Sequence, residues 1–138
     1  MYGSLDISTS GMIAQRTRLD VISANIANKD AILDTDGNYN PFRRRMALLA
    51  PGNPESSSPR GRAMGVQVRE IALDDAPFRL RYEPTSPFAD EQGYVQRPNI
   101  DTTTEQIDAM EAVRAYEANV AAAEALKSML SQGLRLLA

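Results

Sequence analysis

Cysteine, histidine and tryptophan are absent from this 138-residue chain. Without cysteine there is no disulfide, no thiolate metal site and no cysteine nucleophile. Without histidine, the commonest general base and the commonest metal ligand are both missing. Aromatic residues make up only 6% of the chain, which excludes a core built on large rings, although the 43% hydrophobic content is enough for a core of smaller side chains. Long apolar runs are lacking too. The longest, Met46–Ala50, falls far short of the roughly 20 residues a membrane span needs. The opening stretch MYGSLDISTSGMIAQR has its first cation at Arg16 and no continuous apolar segment, so it does not read as a cleaved secretory signal. The expectation is that the protein stays in the cytoplasm or leaves by a route that cleaves no such signal. A formal net charge of −3 gives no reason to expect nucleic acid as a partner.

Proline is missing from residues 1–40 and 99–138, and all eight prolines lie between Pro41 and Pro98. Two ends free of breakers therefore flank a middle rich in turn signals. Charge follows the same division: acids and bases balance up to residue 98, and residues 99–138 hold six acids and three bases, hence the whole net charge. The expected organisation is an N-terminal helical segment over 1–30, a β-rich middle over 31–98, and a C-terminal helical segment over 99–138. The Pro/Gly/Ser-rich APGNPESSSPRGR (50–62) is expected to be a mobile loop.

Near the N-terminus, Leu5, Met12, Leu19 and Ile26 recur at seven-residue spacing, with Ser8, Gln15 and Ile22 as a weaker second row. This predicts a helix over about 8–28, capped by Asp6 or Ser8 and marginal on its own. At the other end Thr102-Thr-Thr-Glu105 fits a capping box. It opens a helix over about 103–136 whose expected inward row is Val113, Tyr116, Val120, Ala123, Lys127, Leu130, Leu134 and Leu137. Lys127 interrupts that row, and the alanines of the middle turns invite close approach of a partner backbone. Each stripe is too narrow to stabilise itself, so the ends are expected to pair as an antiparallel coiled coil and to leave apolar surface for other chains. Asn25, Asn28 and Asn119 lie where asparagine is a poor helix former. Asn28 reads as a helix end, and Asn25 and Asn119 are candidates for register-fixing hydrogen bonds.

In the middle, FRLRYE (78–83) alternates cleanly and GVQVREIAL (65–73) alternates with a slip that predicts a bulge or turn near Arg69–Glu70. FRRRMALLA (42–50) is a third strand candidate. The fold class is α+β, mainly α. Asp34-Thr-Asp36-Gly-Asn38 resembles a calcium loop, but Tyr39 and Arg45 stand where glycine and glutamate are required, and a polar turn is preferred. Asp74-Asp75 reads as a solvated turn before Pro77 rather than paired catalytic carboxylates. Arg43-Arg44-Arg45 reads as a charged strand edge or a contact with an acidic neighbouring surface. No catalytic constellation, cofactor motif or metal site is legible, so no cofactor is expected. A cytoplasmic coiled-coil adaptor or export-associated protein, and a wall hydrolase acting through Glu83 or Glu91, are the competing readings.

SGMIAQRTRLDVISANIAN (10–28) resembles the N-terminal motif of the flagellar rod and hook axial proteins. YEPTSPFADEQGYVQRPNID (82–101), followed by AVRAYEANV (112–120) and preceded by GVQVREIALDDAPFRLRYEP (65–84), resembles the short proximal-rod members of that family. Two details depart from the pattern: Asn28 leads into Lys29-Asp30-Ala31 where a threonine is common, and Ser86 stands where histidine is common. The resemblance implies a non-enzymatic rod subunit exported by the flagellar type III apparatus and polymerised into the periplasmic drive shaft. It also implies, as partners, further copies of the chain, the rod proteins FlgB, FlgF and FlgG, and the junction protein FliE. The contacts expected to carry assembly are Leu5, Met12, Leu19, Ile22, Asn25, Ile26 and Asn28 at one end and Val113, Tyr116, Asn119, Val120, Leu130, Leu134 and Leu137 at the other.

Overall fold

A computed structural model describes residues 2–137; the outermost residues of the two expected end segments, 1 and 138, lie outside it. Helix α1 spans Tyr2–Ala27 and α3 spans Thr102–Leu137. Between them come β1 (Arg45–Pro51), the short helix α2 (Pro59–Met64), β2 (Val66–Leu73), β3 (Arg79–Tyr82) and β4 (Tyr94–Arg97). At 26 and 36 residues, the long helices measure roughly 39 and 54 Å. No helix among the described residues is long and apolar enough to cross a membrane.

The long helices lie side by side, and three cross-contacts set their direction. Asn25 meets Glu105, Arg18 meets Glu111, and Gly11 sits against Asn119. Residues climbing α1 thus face residues descending α3, and the pair is antiparallel, as the two periodic ends predict. On this register the start of α1 faces α3 near residue 128, so the last roughly nine residues of α3 continue alone for about 14 Å.

Each helix starts differently from its sequence signals. α1 begins at Tyr2, ahead of the expected caps. Asp6 lies inside it and accepts hydrogen bonds from Ser56 Oγ at 3.1 Å and Ser57 Oγ at 3.5 Å. α3 is capped by Asp101, whose Oδ1 accepts from the Thr103 N–H at 3.1 Å and whose Oδ2 accepts from Thr104 Oγ at 3.0 Å. Glu105, expected to reach back as the capping-box carboxylate, points into the protein instead and is fully buried.

Two antiparallel hairpins form the middle. β1 pairs with β2 from Arg45↔Leu73 to Pro51↔Val66, with a register shift that leaves Arg69 unpaired, where the slip in alternation predicts a bulge. β3 pairs with β4 from Arg79↔Arg97 to Tyr82↔Tyr94. β1 and β2 pack on α1, where Ser10 Oγ accepts the Val66 N–H at 3.0 Å. The 50–62 segment, expected as a loop, runs into a short helix. Its end begins α2, capped by Ser58, whose Oγ accepts the Gly61 N–H at 3.0 Å, and Asp6 ties the preceding serines to α1. A polar turn holds residues 34–38: Asp34 Oδ1 accepts from the N–H groups of Asp36 and Asn38, both at 2.9 Å. Asp74 likewise caps the turn after β2, accepting the Ala76 N–H at 2.9 Å.

Candidate assembly surface

The buried seam between α1 and α3 runs along small and polar residues. On α1, Ser8, Gly11, Ala14, Val21, Ile22 and Asn25 are buried; on α3, Glu105 and Ala112 are buried and Ala115, Asn119 and Ala123 half-buried. Gly11 permits the closest approach. A Cβ there would stand 2.7 Å from Asn119 Oδ1, inside van der Waals contact, so only glycine leaves room for the carboxamide against the α1 backbone. Asn119 spends its Nδ2 on the Ala115 carbonyl of its own helix at 2.8 Å, so it meets α1 by close packing on Gly11.

At the Asn25 end the seam closes on a buried polar knot. Asn25 is 1% exposed and Glu105 0%, a placement that demands full hydrogen bonding. Asn25 Nδ2 donates to Glu105 Oε2 at 3.1 Å and to the Arg45 carbonyl at 2.8 Å, and its Oδ1 accepts the Arg45 N–H at 2.9 Å. Arg44 Nε donates to Glu105 Oε1 at 2.5 Å, while its other nitrogens approach Asp74 at 3.5 Å and Asp108 at 3.6 Å. Burial opposes the Arg44 charge, but the bond to Glu105 and the fields of Glu105, Asp74 and Asp108 outweigh it and raise the guanidinium pKa. One carboxylate thereby joins α1, α3 and the root of the β1–β2 hairpin.

Of Arg43-Arg44-Arg45, only Arg45 stands on a charged strand edge, exposed at the start of β1. Arg44 is the knot's cation. Arg43 donates from Nη1 to the carbonyls of Asp74 at 2.9 Å and Ala76 at 3.2 Å, and its guanidinium lies 4.4 Å from the Phe78 ring centre. Arg45 is exposed and stands over Phe42 at 5.3 Å. The run works inside the subunit because its neighbours supply carbonyls, carboxylates and ring faces at each site.

The sequence-predicted contact residues divide by exposure. Ile22 and Asn25 lie in the buried seam. Leu5, Met12, Leu19, Ile26, Asn28, Asn119, Val120 and Leu130 are half-buried, with Asn28 donating to the Ala24 carbonyl at 2.9 Å as α1 ends. Val113, Tyr116, Leu134 and Leu137 are exposed, at 41, 37, 67 and 87%, so they are not part of the internal seam. The internal seam takes Ser8, Ile22 and Ala123 from the expected rows and elsewhere runs one residue beside them, through Gly11, Ala14, Ala112 and Ala115. The large apolar side chains flank the contact, and the small residues beside them let the backbones come together. What remains is a seven-residue repeat beside the seam on α3, exposed at Val113, Tyr116, Leu134 and Leu137 and half-buried at Val120. Glu105 and Arg44 escaped sequence reading altogether, one disguised as a capping glutamate and the other as part of a basic run.

The quoted motif at 82–101 builds the second hairpin. Gly93 holds φ at +86°, and a Cβ there would meet Tyr82 Cε2 at 2.9 Å. Asp90 closes the turn by accepting from the N–H groups of Gln92 at 2.9 Å and Tyr94 at 2.8 Å. Phe88 stacks on Tyr39 at 5.2 Å between ring centres, with 9° between the planes. The motif's loop is thus held against the 31–42 segment.

Comparison with known proteins fits this architecture at both ends. Residues 5–31 match the family model described as flagella basal body rod protein, and residues 91–136 match that of the flagellar basal body rod FlgEFG protein C-terminal region. The flagellar basal-body rod protein FlgC of Bacillus subtilis is 40% identical, over 98% of this chain and 97% of its own. That of Borreliella burgdorferi is 37% identical over 99% of this chain and 97% of its own. The Aquifex aeolicus FlgC is 40% identical over 96 and 93%. Paired terminal helices, a small β middle and this likeness along the whole chain agree: the chain belongs to the FlgC family of flagellar basal-body rod proteins.

Proposed function

We propose that this chain is a structural subunit of the flagellar basal-body rod, and that the apolar row of α3 beside the seam is the surface through which it joins its neighbours. The observation that carries the second part is the row Val113, Tyr116, Val120, Leu134 and Leu137, a coiled-coil repeat that is exposed at every position except the half-buried Val120. At about 25 cal/mol per Å² of apolar area, a few hundred Å² covered per contact contributes several kcal/mol before ordering costs. Repetition around a tube turns such modest contacts into stiffness suited to transmitting torque. The division into residues 1–30, 31–98 and 99–138 then has a mechanical sense: the ends polymerise and the middle decorates them. The partners of this reading are copies of the chain itself, the rod proteins FlgB, FlgF and FlgG, and the junction protein FliE. Export through the flagellar type III apparatus suits a chain without disulfides whose isolated helices are marginal. The role is mechanical rather than enzymatic.

The test uses two side chains that do no internal packing. Leu134→Asp with Leu137→Asp is expected to leave the monomer's unfolding free energy in urea within the scatter of surface changes, about 0.5 kcal/mol. Secretion should continue, and recovery in isolated basal bodies should be lost. Cells that swim normally with this variant as their sole copy would refute the assigned surface. Val120→Asp, closer to the seam, should abolish incorporation as well.

A further inference from the structure

The two hairpins expose their strand edges unequally. On β4 the outward-facing backbone groups are all occupied. The Tyr94 N–H goes to Asp90 Oδ1 at 2.8 Å, and the Tyr94 carbonyl accepts the Asp90 N–H at 2.9 Å. The Tyr39 hydroxyl both accepts the Gln96 N–H and donates to the Gln96 carbonyl, each at 2.9 Å. β1 is treated the same way at Arg45, whose N–H and carbonyl are taken by Asn25. These are the devices by which a sheet edge is kept from pairing with another chain.

β3 and the distal half of β2 carry no such cover. The Glu83 N–H bonds to the Gly93 carbonyl, so by the alternation of an antiparallel ladder the groups of Leu80 and Tyr82 point outward. The Asp74 N–H bonds to the Arg44 carbonyl, which by the same rule turns those of Ile71 and Leu73 outward. Among the described residues none of these four has a backbone partner on that side. Their side chains are exposed as well: Ile71 50%, Leu73 55%, Leu80 63% and Tyr82 63%. Each hairpin is also only two-stranded, so both of its strands are edges.

We infer that β3 of one subunit pairs antiparallel with residues 70–74 of β2 in a second copy, joining the two hairpins into one four-stranded sheet across the subunit boundary. Each edge offers two outward residues in the same phase. Leu80 falls opposite Leu73, and Tyr82 opposite Ile71, which makes one apolar strip continuing onto Tyr94. On the other face Arg79 falls opposite Asp74, and Arg81 lies diagonally between Asp74 and Glu70. Glu83 comes opposite Glu70, and its charge is already answered by Arg97 at 2.9 Å and Arg81 at 3.1 Å. The symmetric alternatives fit less well. β2 on β2 sets Glu70 against Asp74 twice, a pair of like sign, and β3 on β3 sets Arg81 against Arg81 and Arg79 against Glu83 but, being two-fold, closes as a dimer and extends no rod. A contact between two different edges is head-to-tail, and a head-to-tail contact propagates into an open helix when its rotation does not close. The inference rests on the rod reading above and adds a second surface to it.

The chain has no native cysteine, which makes cross-linking clean. Residues opposite each other in such a pair sit about 5.5 Å apart at Cα, within disulfide reach. Leu80→Cys with Leu73→Cys, as the sole copy in cells, is expected to give dimers and higher multimers on mild oxidation of isolated basal bodies. Each single variant should stay monomeric. Basal bodies that contain the double variant but yield only monomer overturn the pairing while leaving the rod reading intact. Dimers from Leu80→Cys alone overturn it too. A chain absent from basal bodies even without substitutions would sink the rod reading instead. Charge supplies an independent arm should the cysteines block incorporation. Arg81→Glu and Glu70→Lys should each lower incorporation several-fold, and their combination should recover most of it; a combination no better than the worse single change overturns the pairing.

Discussion

At the Asn25 end of the helix pair a wholly buried carboxylate is answered by a guanidinium and a carboxamide, and the backbone of β1 is tied into the same knot. At the other end, from Gly11 outward, the helices touch through glycine, serine and alanine, and then α3 continues alone with Met129, Leu134, Leu136 and Leu137 all more than 60% exposed. One end is specified by polar bonds that have to be made in a single arrangement. The other end is held by shape and by little burial, and its apolar side chains are turned outward. The contrast teaches how one subunit can be defined alone yet finished only among neighbours. The knot sets the register of α1 on α3 and the origin of the hairpin, while the thin end leaves its surface free.

The sharpest way to break the contrast is at Glu105. Glu105→Ala leaves Arg44 half-buried without its nearest counter-charge and removes one of the two acceptors of Asn25 Nδ2. Loss of one partner of a buried ion pair costs about 3–5 kcal/mol, and a fall of that size in urea-unfolding free energy is expected. Asp74 and Asp108 remain near Arg44, which places the result toward the lower figure. A loss under about 1 kcal/mol, the level of an exposed pair, would mean that the knot does not set the register.

Gly11 probes the thin end, and here the sign of the effect is informative. Alanine in a helix interior is favoured over glycine by about 1 kcal/mol, yet the added Cβ would overlap the Asn119 carboxamide. Gly11→Ala alone is expected to destabilise by roughly 1 kcal/mol, the low end of overpacking costs, because Asn119 can shift partly. In an Asn119→Ala background the same substitution should stabilise by about the helix-propensity difference. Equal effects in both backgrounds, read by thermal unfolding, would remove Asn119 as the reason for the glycine.

These two sites also show where sequence reading stops. The long helices, the β middle and the bulge at Arg69 were legible because each leaves a periodic trace: seven-residue spacing, alternation, and a slip in that alternation. α2 and β4 were not. PRGRAM has no apolar period and forms a helix only because Ser58 caps it and α1 receives it, and β4 holds a single buried side chain, Val95. Ser8, Ile22 and Ala123 of the expected rows do lie in the seam, but Gly11, Ala14, Ala112 and Ala115 were not legible, because periodicity weights large apolar side chains and these are small. Glu105 was hidden by its own context, since TTTE satisfies a local capping rule. Its true partners, Asn25 and Arg44, are 80 and 61 residues away, a distance at which no local pattern speaks.

The smallest effect is expected at Asp6, where α2 meets the thin end. The Ser58 hydroxyl is the main influence holding this carboxyl below its ordinary pKa; burial opposes it, and Ser56, the Ser58 N–H and Ser57 add to it. A carboxyl depressed in the folded state contributes stability above its unfolded value, near about 3.9, and loses it as pH falls through the lower folded value. Acidification below about pH 4 is therefore expected to loosen residues 56–61 from α1 while the knot end stays formed. The readout is NMR of the Gly61 amide, which donates to Ser58: its shift should titrate in wild type and be flat in Asp6→Asn, with the Arg45 amide unmoved in both. If Gly61 and Arg45 instead titrate together, the two ends are one cooperative unit, and the thin end borrows its order from the knot rather than keeping its own.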